Sequence, residues 1–454
     1  MKKLLIYIMW VPVLFSCRTV VNNDPSGQID QIDTVIQVES IENEATAYYA
    51  PDRMKYSDAV YLDRIESVQL HASEWVFGPA VIPFGSDKKL TLSFDELSDK
   101  TSNFYFSFIL CDAMWQPVDL MTNEYLEGFD EEPLSNYTFS MNTLIPYIHY
   151  SVDFPTENMK PKKSGNYILQ VYYYESSEKK TAITKRFFVT ENSIGITTDV
   201  KNATNLEQRN YQHEIDFMLN KNGLEIVDPY RSLTVVVQQN GRTDNPITTL
   251  KPKMVNGDLM DYNFESGNIF DANNEFRHFD AKSIAYYTDR ISSIKRIGNQ
   301  VHVYLKTDYR RPFDRYMTED DINGRFLIKN DDDKNSDAES EYVWVHFLLA
   351  YDAPLTEGSV FLQGAFTQWG FSEKYKLNYD YAQKGYADSL LLKQGYYNYQ
   401  YVFLKDGETA ADAAFIEGRH AEADNDYTIY VYYREPGEVY DRLLGVQTVN
   451  SRKK

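Results

Sequence analysis

Cysteine is nearly absent from this chain. Cys17 and Cys111 are the whole supply in 454 residues, so at most one internal disulfide could form. Positive charge is also scarce. Lys and Arg number 46 against 67 Asp and Glu, a net charge of −21, and no basic run occurs apart from Arg452, Lys453 and Lys454. A nucleic-acid binder needs a basic surface to neutralise phosphates, and that class is excluded. Beyond residues 4–15 no apolar run approaches the ~18 residues of a membrane-spanning helix. The seven histidines (71, 149, 213, 278, 302, 346 and 420) form no His-x-x-x-His, His-Glu-x-x-His or Cys/His cluster, so zinc is unsupported. No Gly-x-Ser-x-Gly elbow and no phosphate-cradling glycine loop is present.

The N-terminus carries a secretory pattern. Lys2 and Lys3 precede the apolar run Leu4–Phe15, followed by Ser16 and Cys17. "LFSC" (14–17) resembles a bacterial lipobox, which makes residues 1–16 a signal peptide and Cys17 the lipidated first residue of the mature chain. The alternative is a plain secretory signal with an incidental cysteine. Cleavage removes two lysines and takes the charge from −21 to −23. With Cys17 acylated, Cys111 has no intramolecular partner. Two or three acyl chains anchor stably where one holds only marginally. Residues 17–60 are polar and acidic, with little periodicity, and read as a flexible tether spanning about 35 Å r.m.s.. Within it, Asp33-Thr34-Val35 resembles a Bacteroidetes O-glycosylation motif.

What the chain has in abundance is aromatic residues, 37 Tyr and 25 Phe, which suit half-buried sheet faces. Period-2 runs follow one another: Leu90, Leu92, Phe94; then Phe104, Phe106, Phe108, Leu110; then Tyr167, Leu169, Val171, Tyr173. Such alternation between turn residues signals antiparallel strands with one buried face. The spacing predicts an all-β chain of three consecutive immunoglobulin-like β-sandwiches, 61–192, 193–338 and 339–450, with no helix of consequence. Asn240-Gly241 and Asn323-Gly324 are turn dipeptides of type I′. The acidic run 330–341 reads as a solvated linker.

Few residues invite a chemical reading. Cys111-Asp112 follows an apolar strand with no cationic neighbour in sequence, so the thiol is expected to be buried filler and Asp112 to cap the following turn. Glu319, Asp321, Asn323 and Gly324 match positions 1, 3, 5 and 6 of a calcium loop, but position twelve is Asn330 and a turn is the better reading. No spacing singles out a carboxylate pair for glycoside hydrolysis. No catalytic residue, metal or cofactor is expected. Trp369 in "GAFTQWG", before "GYYNYQYVF", resembles the early-set, glycogen-binding-like sandwich; there it is a core residue or, alternatively, a glycan or partner contact.

The ordered segments "LSFDEL", "LCDAMWQPVDL", "FSMNTLIPYIHYSVDFP", "SGNYILQVY", "VVVQQNGRTDN", "GNIFDANNEFRHFD", "DINGRF", "LKQGYYNYQYV" and "DRLLGV" resemble the Plug family of the Bacteroidetes type IX secretion system, over about 61–446. The resemblance implies a non-enzymatic periplasmic body that binds a large outer-membrane translocon barrel and occludes its periplasmic mouth. An interface of about 1,600 Å² would be expected of such a contact. It also implies a His where this chain has Leu110, so any role of that His is missing here. Arg18-Thr19-Val20 lacks the acidic cluster of surface-exported lipoproteins, which favours the periplasmic leaflet of the outer membrane. The rival expectations are a glycan-binding lipoprotein using the third sandwich and an enzyme built on a sandwich scaffold.

Overall fold

Alternating apolar runs become strands wherever turn residues let them fold back on each other. In the computed structural model, which describes residues 54–331 and 335–452, the result is an all-β chain. Its helical segments among the described residues are three or four residues long. Residues 1–16, expected to be a signal peptide, Cys17, Asp33-Thr34-Val35 and most of the expected tether lie outside the described residues.

The first sandwich follows the period-2 reading. One sheet runs Ala59–Val60, Glu178–Thr190, Gly165–Glu175, Tyr105–Cys111, Glu132–Pro133, and Val81–Pro83 joins it in parallel on Glu178–Thr190. The facing sheet runs Ile65–Ala72, Leu90–Glu96, Ile148–Phe154, Tyr137–Phe139. Leu90, Leu92 and Phe94 meet Phe106, Phe108 and Leu110 in one core. Phe108, Phe154 and Phe187 lock ring against ring at 5.1–5.2 Å. The tether, expected to reach residue 60, ends sooner. Ala59–Val60 pairs with Thr184 and Ile183, and Arg186 Nη2 donates to the Tyr56 carbonyl at 2.9 Å, so residues 56–60 belong to the body.

The other two cores do not divide at 338/339. Leu233–Gln239 pairs in antiparallel register with Asp426–Tyr433, which pairs in turn with Arg442–Asn450. This three-stranded sheet covers the sheet formed by Gly195–Asn202, Gln212–Asn220, Met254–Asn256, Leu259–Asp261 and Ile269–Asp271. Ile215, Phe217, Val235, Val237, Ile429 and Val431 fill the space between them. The second sandwich is therefore closed by the C-terminal strands, and the third is inserted within it. That inserted body is one curled sheet from Arg277–Asp280 through Gly395–Lys405, Gly358–Gln363, Lys376–Asp380, Gly385–Lys393, Tyr342–Ala350 and Gln300–Leu305 to Ile291–Ile297. It wraps Phe279, Val345, Phe347, Tyr397 and Tyr399.

The first sandwich touches both of the others. Against the second it places Ala113 and Phe188 on Val236, Tyr430, Tyr432 and Leu443, with the Phe188 and Tyr430 rings stacked at 4.5 Å. Against the third it presents charge.

Candidate functional site

Cys111 ends its strand fully buried, its Sγ 3.8 Å from the Ile109 carbonyl. Burial pushes the thiol pKa up to about 12 and the neighbouring Asp112 carboxylate adds to the rise, against a smaller opposing pull from Arg186. The thiolate needed of a nucleophile is not formed at neutral pH. Asp112 Oδ1 accepts from the backbone N–H groups of Met114 and Gln116, both at 2.9 Å, and so caps the turn. Trp115 sits at a φ of 65° with the Arg186 guanidinium 4.3 Å from its ring centroid and Phe188 at its edge. Ala113 N–H donates to Asp441 at 2.8 Å, so the segment builds the junction with the second sandwich. Leu110 is core.

Trp369 is 8% exposed. It packs across Phe276 at 6.1 Å and over Gly324, where an added Cβ would lie 2.4 Å from the indole. No open ring face is left on which a sugar could stack. Asn323 and Gly324 both have positive φ, 51° and 77°, as a type I′ turn requires, and Arg325 N–H returns to the Ile322 carbonyl at 3.2 Å. Asp321 accepts from the N–H groups of Asn323 and Phe276 at 2.9 and 2.5 Å. Asn330 donates to the Glu339 carbonyl, and Glu319 is exposed. The residues matched to a calcium loop are thus a capped turn. Among the described residues no group of three or more His, Cys, Asp or Glu is placed to hold a metal ion. Of the histidines, only His302 and His346 come together, with ring nitrogens 2.9 Å apart and Tyr304 stacked on His346 at 4.2 Å.

The charged junction between the first and third sandwiches went unseen in the sequence. Lys393 Nζ donates to Asp95 Oδ2 at 2.7 Å, and both residues are buried. Tyr342 OH donates to the same oxygen at 2.7 Å, and His149 Nδ1 lies 2.7 Å from Asp95 Oδ1. Burial works against ionisation of Asp95, but Lys393 and His149 outweigh it and hold the carboxyl below its usual range. The acidic run read as a solvated linker ends inside this junction. Glu341 is buried and accepts from Leu144 N–H at 2.6 Å, and the Ser340 carbonyl accepts from Tyr147 OH at 3.0 Å. Lys185 and Lys374 add contacts to Gln368 and Glu66 from opposite partners.

A second charged cluster roots a loop. Glu417 is buried between Arg277 and Arg311, with N–O distances of 2.9 and 2.7 Å. Burial again opposes its ionisation, and the two guanidinium groups win. Arg277 also binds Asp308 at 2.8 Å and donates to the Tyr309 carbonyl at 2.7 Å. Tyr316 OH donates to Glu275, which also takes Arg452 at 2.6 Å. Between these pinned ends Phe313 is 95% exposed, and Tyr309, Arg315 and Met317 point out beside it. Only the local run "YRRPFDRYM", the densest arginine stretch of an acidic chain, marks the loop in the sequence.

The family described as type 9 secretion system plug protein, 1st domain, matches residues 65–191. The chain is also similar to a hypothetical protein of Parabacteroides merdae ATCC 43184 known from a crystal structure at 2.30 Å. The two share 32% identity and a TM-score of 0.85 over 88% of this chain and 100% of that one. The C-terminal domain of the Streptococcus pyogenes antigen I/II-family protein AspA gives 8% identity and a TM-score of 0.16 over 85% of this chain and 99% of that one, too low to indicate a common fold. No curated protein matches.

Proposed function

The chain belongs to the type 9 secretion system plug protein family, and from that premise we propose that it docks on the outer-membrane translocon barrel and occludes the barrel's periplasmic opening. Its role is related to type IX secretion, and it works in the cell envelope. In this reading Cys17 carries lipid in the periplasmic leaflet, and the body acts by contact and obstruction, without catalysis.

The observation that carries the reading is the 309–317 loop. Exposing a phenylalanine almost completely is unfavourable in water, and an apolar knob held on one side by the buried Arg311–Glu417 ion pair and on the other by the Tyr316–Glu275 hydrogen bond suits a protein contact. The charged junction supports the same reading, since an obstruction has to keep its shape under load. Sugar binding through Trp369 has no exposed ring to use.

Crosslinking and mass spectrometry on native outer membranes test this. A large barrel protein is expected among the products, with recovery falling at least tenfold in Phe313→Asp/Met317→Asp. Recovery of no barrel protein from wild type sinks the reading. The anchor is checked by labelling with a palmitate analogue, which Cys17→Ala should abolish.

A further inference from the structure

The sheet of the inserted body has an outer face built without acids. In Ile291–Ile297, Gln300–Leu305, Tyr342–Ala350 and Gly385–Lys393 the one acidic residue is Asp388, and it stands in the opposite phase, across from Phe347 of the core. The register lines up the outward residues from strand to strand: Lys295 opposite His302, Tyr304 opposite His346, and His346 opposite Ser389. His302 Nδ1 lies 2.9 Å from His346 Nε2, Tyr304 stacks on His346 at 4.2 Å, and Lys295 Nζ lies 4.7 Å from the Tyr304 ring centroid. One end of this face is already covered. There Tyr342 and Lys393 meet the Asp95 carboxylate of the first sandwich, each at 2.7 Å.

The other end has cations and no carboxylate. Lys295 is exposed, makes no ion pair among the described residues, and stands on the last strand of the sheet. Lys306 at the rim has Asp289 at 3.5 Å. Burial holds His346 below the usual histidine range, and the positive groups beside it, His302 and Lys295, push the same way. At 2.9 Å one ring nitrogen of the pair donates and the other accepts, and the pair can take up one more proton without losing that bond. A lysine on an edge strand is an ordinary guard against edge-to-edge pairing. That guard needs one strand, whereas here four strands of a chain with 67 Asp and Glu turn no acid outward.

We propose that the uncovered end of this face docks an acidic segment of a partner protein, with its carboxylates spread over Lys295, His302 and His346. Donors on three adjacent strands span about 10 Å, which fits carboxylates spaced along a chain better than one compact phosphate group. The precedent is in the molecule itself, since Asp95 on Lys393 makes the same kind of contact within the chain. A carboxylate laid on the histidine pair favours its protonated form, so docking takes up a proton and strengthens as pH falls. The surface uses none of the 309–317 residues. It goes beyond the plug reading and does not rest on it.

The test uses the full-length protein in detergent and two fluorescent probes, hexaglutamate and hexaglutamine, with binding read by anisotropy at pH 8 and pH 6. Hexaglutamate should bind at least tenfold more tightly than hexaglutamine at pH 6, and at least fivefold more tightly at pH 6 than at pH 8. Glutamate carboxyls are ionised across that range, so the change reports the histidines. Lys295→Gln should weaken binding at least threefold at both pH values with the melting temperature unchanged. His302→Asn/His346→Asn should remove the pH dependence; should that double variant not fold, the exposed Lys295→Gln decides. Equal binding of the two probes, a pH dependence that survives the double variant, or an affinity indifferent to Lys295→Gln overturns the proposal. Binding of soluble dihexanoyl phosphatidylglycerol that Lys295→Gln abolishes, with no binding of hexaglutamate, assigns the face to a lipid head group and overturns it too.

Discussion

The first sandwich meets its two neighbours in opposite ways. Toward the second it offers Phe188 and Ala113 to Tyr430, Tyr432 and Leu443, with Tyr432 OH bonded to Asn166 Oδ1 at 2.8 Å and a partly exposed Arg442–Glu191 ion pair at 2.7 Å beside them. Toward the third it offers Asp95, His149 and Glu66 to Lys393, Tyr342 and Lys374. An apolar contact loses stability in proportion to what is removed from it. A buried charge pair behaves differently, because taking one partner strands the other in a medium that cannot solvate it. One junction should yield gradually, and the other should fail at a single substitution.

Lys393→Met is the most damaging change on this argument, at about 3–5 kcal/mol of thermal or denaturant stability. Adding Asp95→Asn to it should restore most of the loss; a double variant no better than the single one would break the contrast. Tyr430→Ala, on the apolar side, should cost about 3 kcal/mol, whereas Tyr430→Leu, which keeps much of the volume, should cost about 1 kcal/mol.

Acidity sharpens the comparison further. The depressed Asp95 contributes stability above its ordinary range near 3.8, and that contribution disappears as pH falls through its lower folded value. Glu275 runs the other way. Burial raises it to about 7, well above its usual 4.5, so the fold gains stability as pH drops from about 7 toward 4.5. Asp321, raised by burial to about 6, adds to that gain. A melting-temperature series from pH 8 to pH 3 should rise and then fall, and Glu275→Gln should flatten the rise. The smallest effect is expected at the opening strand of the apolar junction. Cys111→Ala should cost about 1 kcal/mol, and the native thiol should stay unmodified by a thiol reagent at pH 8 until the protein unfolds.

Strand identity could be read from the sequence because it is local. Leu90, Leu92 and Phe94 alternate on one face, and one buried face is all that alternation records. Asp95 follows in the outward phase, where a charge is ordinarily solvated, and only the arrival of the third sandwich buries it. Glu341 was misread for the same reason, as was the insertion: nothing near Leu233–Gln239 announces that its neighbour is Asp426–Tyr433. The turn at Asn323-Gly324 and the cap at Asp112 were legible, since each is decided within a few residues. The paired arginines on Glu417 arise from distant parts of the chain and left no pattern to find.

The nested topology dictates a timetable. Leu233–Gln239 is made early and, beyond a single bridge from Val237 to Ile247, has no strand to pair with until Asp426–Tyr433 follows. The inserted body, complete by about residue 417, can mature in the meantime and bring the two waiting halves toward each other. A chain stopped at residue 425 would hold two finished modules around one left open, its row of valines bare to the solvent. Quality-control proteases would find their cut there, in the part of the molecule that is last to close.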